Sequence, residues 1–274
     1  MSKERQAQMA GSWYPGDPVT LREMITGMLT ASEIEYSGKP PVALAVPHAG
    51  YIYSGEVAAC SYSTISDHKY DTIVVIAPSH REAFTGVALF DGEAYHTPLG
   101  RVQVDVDLMR SLAAVEQGGK LRLSEQGHRD EHSLELQLPF MQVVQEDFKL
   151  LPLVMGEQDF DTATVLAAAL YEVCVERNCL IVASTDLSHF HSQQQAEKLD
   201  GKFIELFSVN EPEELDRQLL RGGAEACGGG AVITAMLYNQ LAGGAGCQAL
   251  RYDTSAPVTG DYENVVGYFA GVMS

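Results

Sequence analysis

Three apolar runs in this chain end in the same way. VALAV (42–46) leads into Pro47-His48, IVVIA (73–77) into Pro78-Ser79-His80, and LIVAS (180–184) into Thr185-Asp186-Leu187-Ser188-His189. Each places an imidazole, or a carboxylate and an imidazole, just past the C-terminal end of what reads as a buried strand. In open parallel sheets that edge is where ligands bind. His48, His80, Asp186 and His189 are therefore expected to meet in one pocket, although they lie far apart in sequence. A fifth candidate is Cys227, which precedes Gly228-Gly229-Gly230 and an apolar helix. Backbone N–H groups at a helix N-terminus stabilise a thiolate, so Cys227 reads as a metal ligand or a nucleophile, with a buried cysteine beside a tight turn as the plainer alternative. Two imidazoles and one thiolate make a three-ligand set that leaves positions open, and a soft thiolate favours zinc, iron or Cu(I) over Mg or Ca. No compact motif such as HExxH marks the site.

Other residues carry weaker signals. Glu131 and His132 open a helix, and a glutamate there suits the helix dipole, which by itself explains it. His132 is a candidate to support a ligand or to bind substrate, and Glu135 reads as a surface or helix-supporting residue. Gly50 and Gly55 flank Tyr51-Ile52-Tyr53; they let a loop approach a ligand closely or simply turn the chain into its next helix.

The elements that must position these side chains alternate. Asp17-Pro18 reads as an N-cap and first helical residue, with Leu21, Met24, Ile25 and Met28 at helical spacing behind it. Strands are expected at 42–46, 72–77, 148–154 and 179–184. Helices are expected at 57–65, 107–116, 131–146 (kinked by Pro139), 162–176, 192–207, 213–220 and 231–241. Shorter strand-like pieces fall within 86–106, and 247–254 and 264–272 are expected to close the sheet. EPEEL (211–215) reads as the solvated first turn of a helix. Strands alternating with helices imply parallel strands joined by right-handed crossovers. No linker, charge block or internal repeat divides the chain, so residues 1–274 are expected to form one α/β domain.

The composition excludes some functions. The chain has 274 residues, 46% of them hydrophobic, and a formal net charge of -19 without any Lys/Arg-rich run. Such a protein repels phosphate backbones and anionic head groups, so neither nucleic acid nor a membrane surface is an expected partner. The N-terminus lacks an apolar stretch like a signal peptide, and runs such as TIVVIAP are too short to span a bilayer; the cytoplasm is the expected compartment. The five cysteines show no CxxC pair and imply no disulfide framework. Cys60, Cys174 and Cys179 read as core residues.

The motifs SWYPGD (12–17), PHAGYIYSG (47–55), APSH (77–80), YHTPLG (95–100), DEHSLELQLPF (130–140), STDLSHF (184–190), CGGG (227–230) and YFAG (268–271) resemble, in order, those of the Memo family. The prokaryotic branch of that family is called AmmeMemoRadiSam system protein B. The resemblance implies an αβ sandwich around a mostly parallel or mixed central sheet, similar to LigB-type class III extradiol dioxygenases. It also implies a metal, iron or copper, held by His48, His80 and Cys227, with Asp186 and His189 falling on the family's SD-x-x-H segment; iron(II) is expected first, with copper or zinc as alternatives, and His132 joins Asp186 and His189 as a catalytic candidate from its place at the helix start. The related dioxygenases carry a carboxylate where this sequence has Cys227, which speaks against catechol ring cleavage. The three glycines after Cys227 replace a more polar stretch of eukaryotic members. The branch name implies action alongside AMMECR1-domain and radical SAM proteins. Three functions follow: a metal-dependent, dioxygenase-like oxidoreductase with His189 as acid/base and Asp186 orienting it or binding substrate; a hydrolase using zinc-bound water or Cys227 as nucleophile; or a binding module for peptides or metal that keeps an old catalytic pocket.

Overall fold

The computed structural model describes residues 3–274 apart from 35, 37, 116, 117 and 245. In chain order the strands are β1 (Glu4–Arg5), β2 (Ala43–Val46), β3 (Thr72–Pro78), β4 (Val87–Phe90), β5 (Ala94–Thr97), β6 (Gly100–Gln103), β7 (Leu121–Ser124), β8 (Lys149–Met155), β9 (Cys179–Ser184), β10 (His189–His191), β11 (Cys247–Thr254) and β12 (Val265–Met273). The helices are α1 (Pro18–Ala31), α2 (Tyr51–Ser63), α3 (Val106–Val115), α4 (His132–Glu135), α5 (Leu138–Val144), α6 (Phe160–Cys174), α7 (Gln193–Ser208), α8 (Pro212–Arg221), α9 (Gly229–Leu241) and α10 (Ala256–Thr259). The fold is α/β with a mixed central sheet. The last residue of the helix expected over 107–116 lies outside the described residues. Among the described residues, no helix is long and apolar enough to cross a membrane.

The central sheet runs β10-β12-β2-β9-β3-β8-β4-β7, and β11 pairs with β12. Its middle, β2-β9-β3-β8, is parallel. Both flanks turn antiparallel, at β8-β4 and at β2-β12 and β12-β11. Apart from Lys149, every residue of the four middle strands is buried, which is why they read as continuous apolar runs. Helix α9 packs against β2, β3, β9 and α6, while α1, α2 and α5 form a second helical group on β2 and β12. A separate small sheet, β1-β5-β6, ties the N-terminus to the 94–103 hairpin.

Local signals explain the helix starts. Asp17 Oδ1 accepts from Thr20 N at 2.9 Å, with Pro18 opening α1, and Asp159 and Ser192 cap α6 and α7 in the same way. Two expectations are corrected. The helix expected at 57–65 begins at Tyr51, directly after the His48 turn. Gly55 hid its period; it packs against the end of the Met28 side chain of α1, 2.7 Å from where a Cβ would stand. The single kinked helix expected over 131–146 is two helices. Pro139 lies in the first turn of α5, where its missing N–H is unneeded, and α4 is only one turn long.

Candidate metal centre

β9 lies between β2 and β3, so the turns after three adjacent parallel strands open onto one place. His48 follows β2, His80 follows β3, and Ser184-Thr185-Asp186 leaves β9. The His48 and His80 ring centroids are 5.3 Å apart, and His132 lies 5.5 Å from His48 and 4.6 Å from His80. Cys227 arrives from the loop before α9, its Sγ 3.1 Å from His48 Nε2. One donor atom each from His48, His80 and Cys227 falls within 4.8 Å of the others.

Hydrogen-bond accounting fixes which nitrogens are free. Ser184 has one hydroxyl proton, and its Oγ donates to Ser133 O at 2.7 Å, a group that can only accept. The same Oγ accepts from Gln137 Nε2 at 2.8 Å, so toward His48 Nδ1, also at 2.8 Å, it must accept as well. His48 therefore carries its proton on Nδ1 and a lone pair on Nε2. The His80 Nδ1–H donates to Glu131 Oε1 at 2.9 Å, which leaves Nε2 as the nitrogen available to a metal. Burial, reinforced by His80, His132 and His189, holds His48 well below the usual histidine range and hence neutral. Two imidazoles beside one thiol, each with its Nδ1 anchored, fit a soft or borderline divalent metal.

The Cys227 loop is sewn to the end of β9. Cys227 N donates to Asp186 O at 3.1 Å, Gly228 N donates to Thr185 Oγ1 at 3.0 Å, and Cys227 O accepts from Gln158 Nε2 at 2.8 Å. Gly228 is required by this approach, because a Cβ there would collide with the Ser184 carbonyl oxygen. Gly228→Ala should therefore cost about 1–3 kcal/mol in chemical denaturation and lift the thiol away from the histidines; an unchanged denaturation midpoint would show that the loop can give way. The expected thiolate is corrected. Burial first, then the Asp186 charge, pushes the Cys227 thiol well above the ordinary range. Asp186 N donates to Sγ at 3.2 Å, but this opposing pull is smaller.

Asp186 is buried and acts on the first histidine: its Oδ1 accepts from His48 N at 2.7 Å. Burial raises its carboxyl to about 7. His189 is oriented by Leu187 O, to which its Nδ1 donates at 2.8 Å, leaving Nε2 free; burial lowers its pKa. Phe190, at φ 61°, marks the bulge that separates His189 from His191 in β10. A cavity of about 300 Å³ is lined by both His189 and Cys227, with Leu187, Leu219 and Glu225. Because Asp186 keeps its proton to about pH 7 when folded and to about pH 4 when unfolded, the folded chain binds the extra proton between those values. Its contribution to stability is full below pH 4, falls as pH rises and levels off above 7. Asp186→Asn keeps an acceptor without the charge. It should stabilise the metal-free protein at pH 8, relative to pH 5, by an amount on the order of a few kcal/mol. An equal effect at both pH values would remove the argument.

His132 stands between His80 and Trp13, its ring centroid 4.6 Å from each. Burial lowers its pKa to about 4, and its buried Nδ1 has no hydrogen-bond partner. Several residues here escaped the sequence reading. Glu131, taken as a helix-dipole residue, grips His80. Trp13, the sole tryptophan of the chain, walls the site and begins an apolar groove of about 480 Å³ with Met24, Ala49, Ile52 and Tyr53. Glu135, read as a surface or helix-supporting residue, is fully buried, since its carboxylate takes the Arg5 guanidinium at 2.6 Å.

The profile of the Memo family, described as Memo-like protein, matches residues 5–272. The chain belongs to the Memo family. A Memo-family relative described as "MEMO1 family protein" from Methanobrevibacter smithii is 33% identical over 281 residues, covering 98% of this chain and 99% of its own. Memo-family proteins of Methanopyrus kandleri (34% identical) and Methanococcoides burtonii (35%) align with 98% of this chain and 99% of theirs. A crystal structure of the uncharacterized protein JW3007 from Escherichia coli K12 shares the fold, with a TM-score of 0.53 and 13% identity over 86% of this chain and 99% of that one.

Proposed function

We propose that this Memo-family chain is a metal-dependent, dioxygenase-like oxidoreductase that holds one iron(II), with copper or zinc as the alternatives, between His48, His80 and Cys227. The observation that carries the reading is the convergence of these three donors within 4.8 Å, with both Nδ1 atoms already engaged. Three protein ligands leave coordination positions open, and a bound metal would supply Lewis-acid and redox chemistry there. The protein's own groups support that chemistry. Asp186 fixes the His48 backbone. His189 offers a neutral Nε2 beside the cavity that Cys227 also lines, where it can take a proton from substrate and return it. His132 and Trp13 pack beside His80, with ring centroids 4.6 Å apart at each step.

A hydrolase with Cys227 as nucleophile has less support, because its thiol is pushed up where an activated thiol is pulled down. We extend the proposal to partners: an AMMECR1-domain protein and a radical SAM enzyme, with no nucleic acid, in keeping with the net charge of -19. Anaerobic purification followed by metal analysis tests the centre. About one equivalent of iron, copper or zinc per chain is expected, lost in His48→Ala. A chain that stays metal-free after loading with each ion would refute it.

A further inference from the structure

Glu131 does more than cap a helix. Capping α4 needs one carboxylate oxygen on Ser133 N, and Oε1 does this at 3.0 Å. The same oxygen also accepts the His80 ring Nδ1–H at 2.9 Å, while Oε2 accepts the His80 backbone N–H at 2.6 Å. The carboxylate is 1% exposed, and the Ser133 hydroxyl lies 2.8 Å from it. One side chain thus holds both the backbone and the ring of His80. His48 is held differently: its backbone is fixed by Asp186, and behind its ring stands the neutral Ser184 hydroxyl.

We infer that Glu131 is the positioning residue of the metal centre, locking His80 with Nε2 as its donor atom and making His80 the stronger imidazole of the pair, with His48 the weaker. This rests on the metal-centre reading above. A charged acceptor behind an imidazole increases the electron density at the opposite nitrogen, and such outer partners are commonly worth 10–100-fold in metal affinity. A neutral hydroxyl transmits less. Glutamine at 131 cannot replace the carboxylate, because its amide presents one acceptor and one donor to two His80 donors. The charge matters as well as the geometry: a carboxylate stabilises iron(III) over iron(II), and an amide does not.

The test uses the full chain loaded with zinc(II) and, anaerobically, with iron(II). In chelator competition Glu131→Gln should bind zinc about 10–100-fold more weakly than the wild type, and Ser184→Ala should lose less. The Fe(III)/Fe(II) potential of Glu131→Gln should rise, a shift that a merely structural role would not cause. Equal affinity in Glu131→Gln and the wild type, a larger loss in Ser184→Ala, or an unmoved potential overturns the inference. A readout on the wild type stands even if Glu131→Gln does not fold. Ring ¹⁵N NMR of the zinc-loaded chain should show His80 protonated at Nδ1, with slow proton exchange; protonation at Nε2 overturns the inference. A wild-type chain that takes up no metal refutes the metal-centre reading itself. Metal lost in His80→Ala but kept at full affinity in Glu131→Gln refutes only the role of Glu131.

Discussion

Cys227→Ala should lose zinc(II) and iron(II) by more than the 10–100-fold typical of an outer partner, while the chain stays folded. The fold survives because the loop keeps its backbone bonds, Cys227 N on Asp186 O and Cys227 O on Gln158 Nε2, and loses only the Asp186 N–H bond to the sulfur. The wild type should also show a pH signature. Burial and Asp186 keep the thiol protonated well above neutrality, whereas a metal takes only the thiolate. His48 is already neutral and releases no proton. Metal uptake then expels the Cys227 proton, and affinity should rise about tenfold per pH unit between roughly pH 6 and 8. In Cys227→Ala that slope should fall by about one proton. Isothermal titration in two buffers of different ionisation enthalpy counts the released proton directly. A variant with wild-type affinity, or a wild type with no pH slope, would take Cys227 out of the ligand set.

The second large effect is on stability, at Glu135. Its carboxylate accepts from Arg5 Nη1 at 2.6 Å, from Met9 N at 2.8 Å, from Gln8 N at 2.9 Å and from the Tyr14 hydroxyl at 2.6 Å. Arg5 in turn donates from Nε to His128 O at 2.6 Å and from Nη2 to Glu131 O at 2.8 Å. One buried ion pair therefore straps the N-terminal segment across α4 and sets Trp13 on His132. Removing one member of such a pair leaves the other charge buried and unpaired, which costs about 3–5 kcal/mol. Glu135→Ala should lower the thermal midpoint by roughly 6–20 °C for a chain of this size. Trp13 reports the same event, and its emission should shift to the red as the strap loosens. Replacing both partners by apolar residues, Arg5→Met with Glu135→Leu, should be less damaging than Glu135→Ala, which leaves the buried guanidinium unpaired. A single variant with an unaltered midpoint and unaltered emission would show that the strap is held by other contacts.

The middle of the fold was legible because its signals are local. TIVVIA and CLIVAS are buried on both faces, so their strands read as unbroken apolar runs, and CLIVAS (179–184) matches β9 residue for residue. Asp17-Pro18 states its helix start in two residues. The helix over 51–63 was legible only in part, since Gly55 answers to Met28 on another helix. The histidines at the strand ends were readable for a similar reason: a residue just past a parallel strand has few places to point.

The sequence by itself determined the parallel core, the strand-end placement of His48, His80 and Asp186, and, through its ordered motifs, the family. The tertiary structure decided what stands behind the candidate ligands. Glu131 and Glu135 sit four residues apart in one polar stretch, with nothing local to separate a carboxylate that grips His80 from one that neutralises Arg5. Their partners lie 51 and 130 residues away. The state of Cys227 was decided there too. Its position before a helix predicts a low thiol pKa, but burial beside Asp186 outweighs the helix terminus, and desolvation is a property of the packed fold alone.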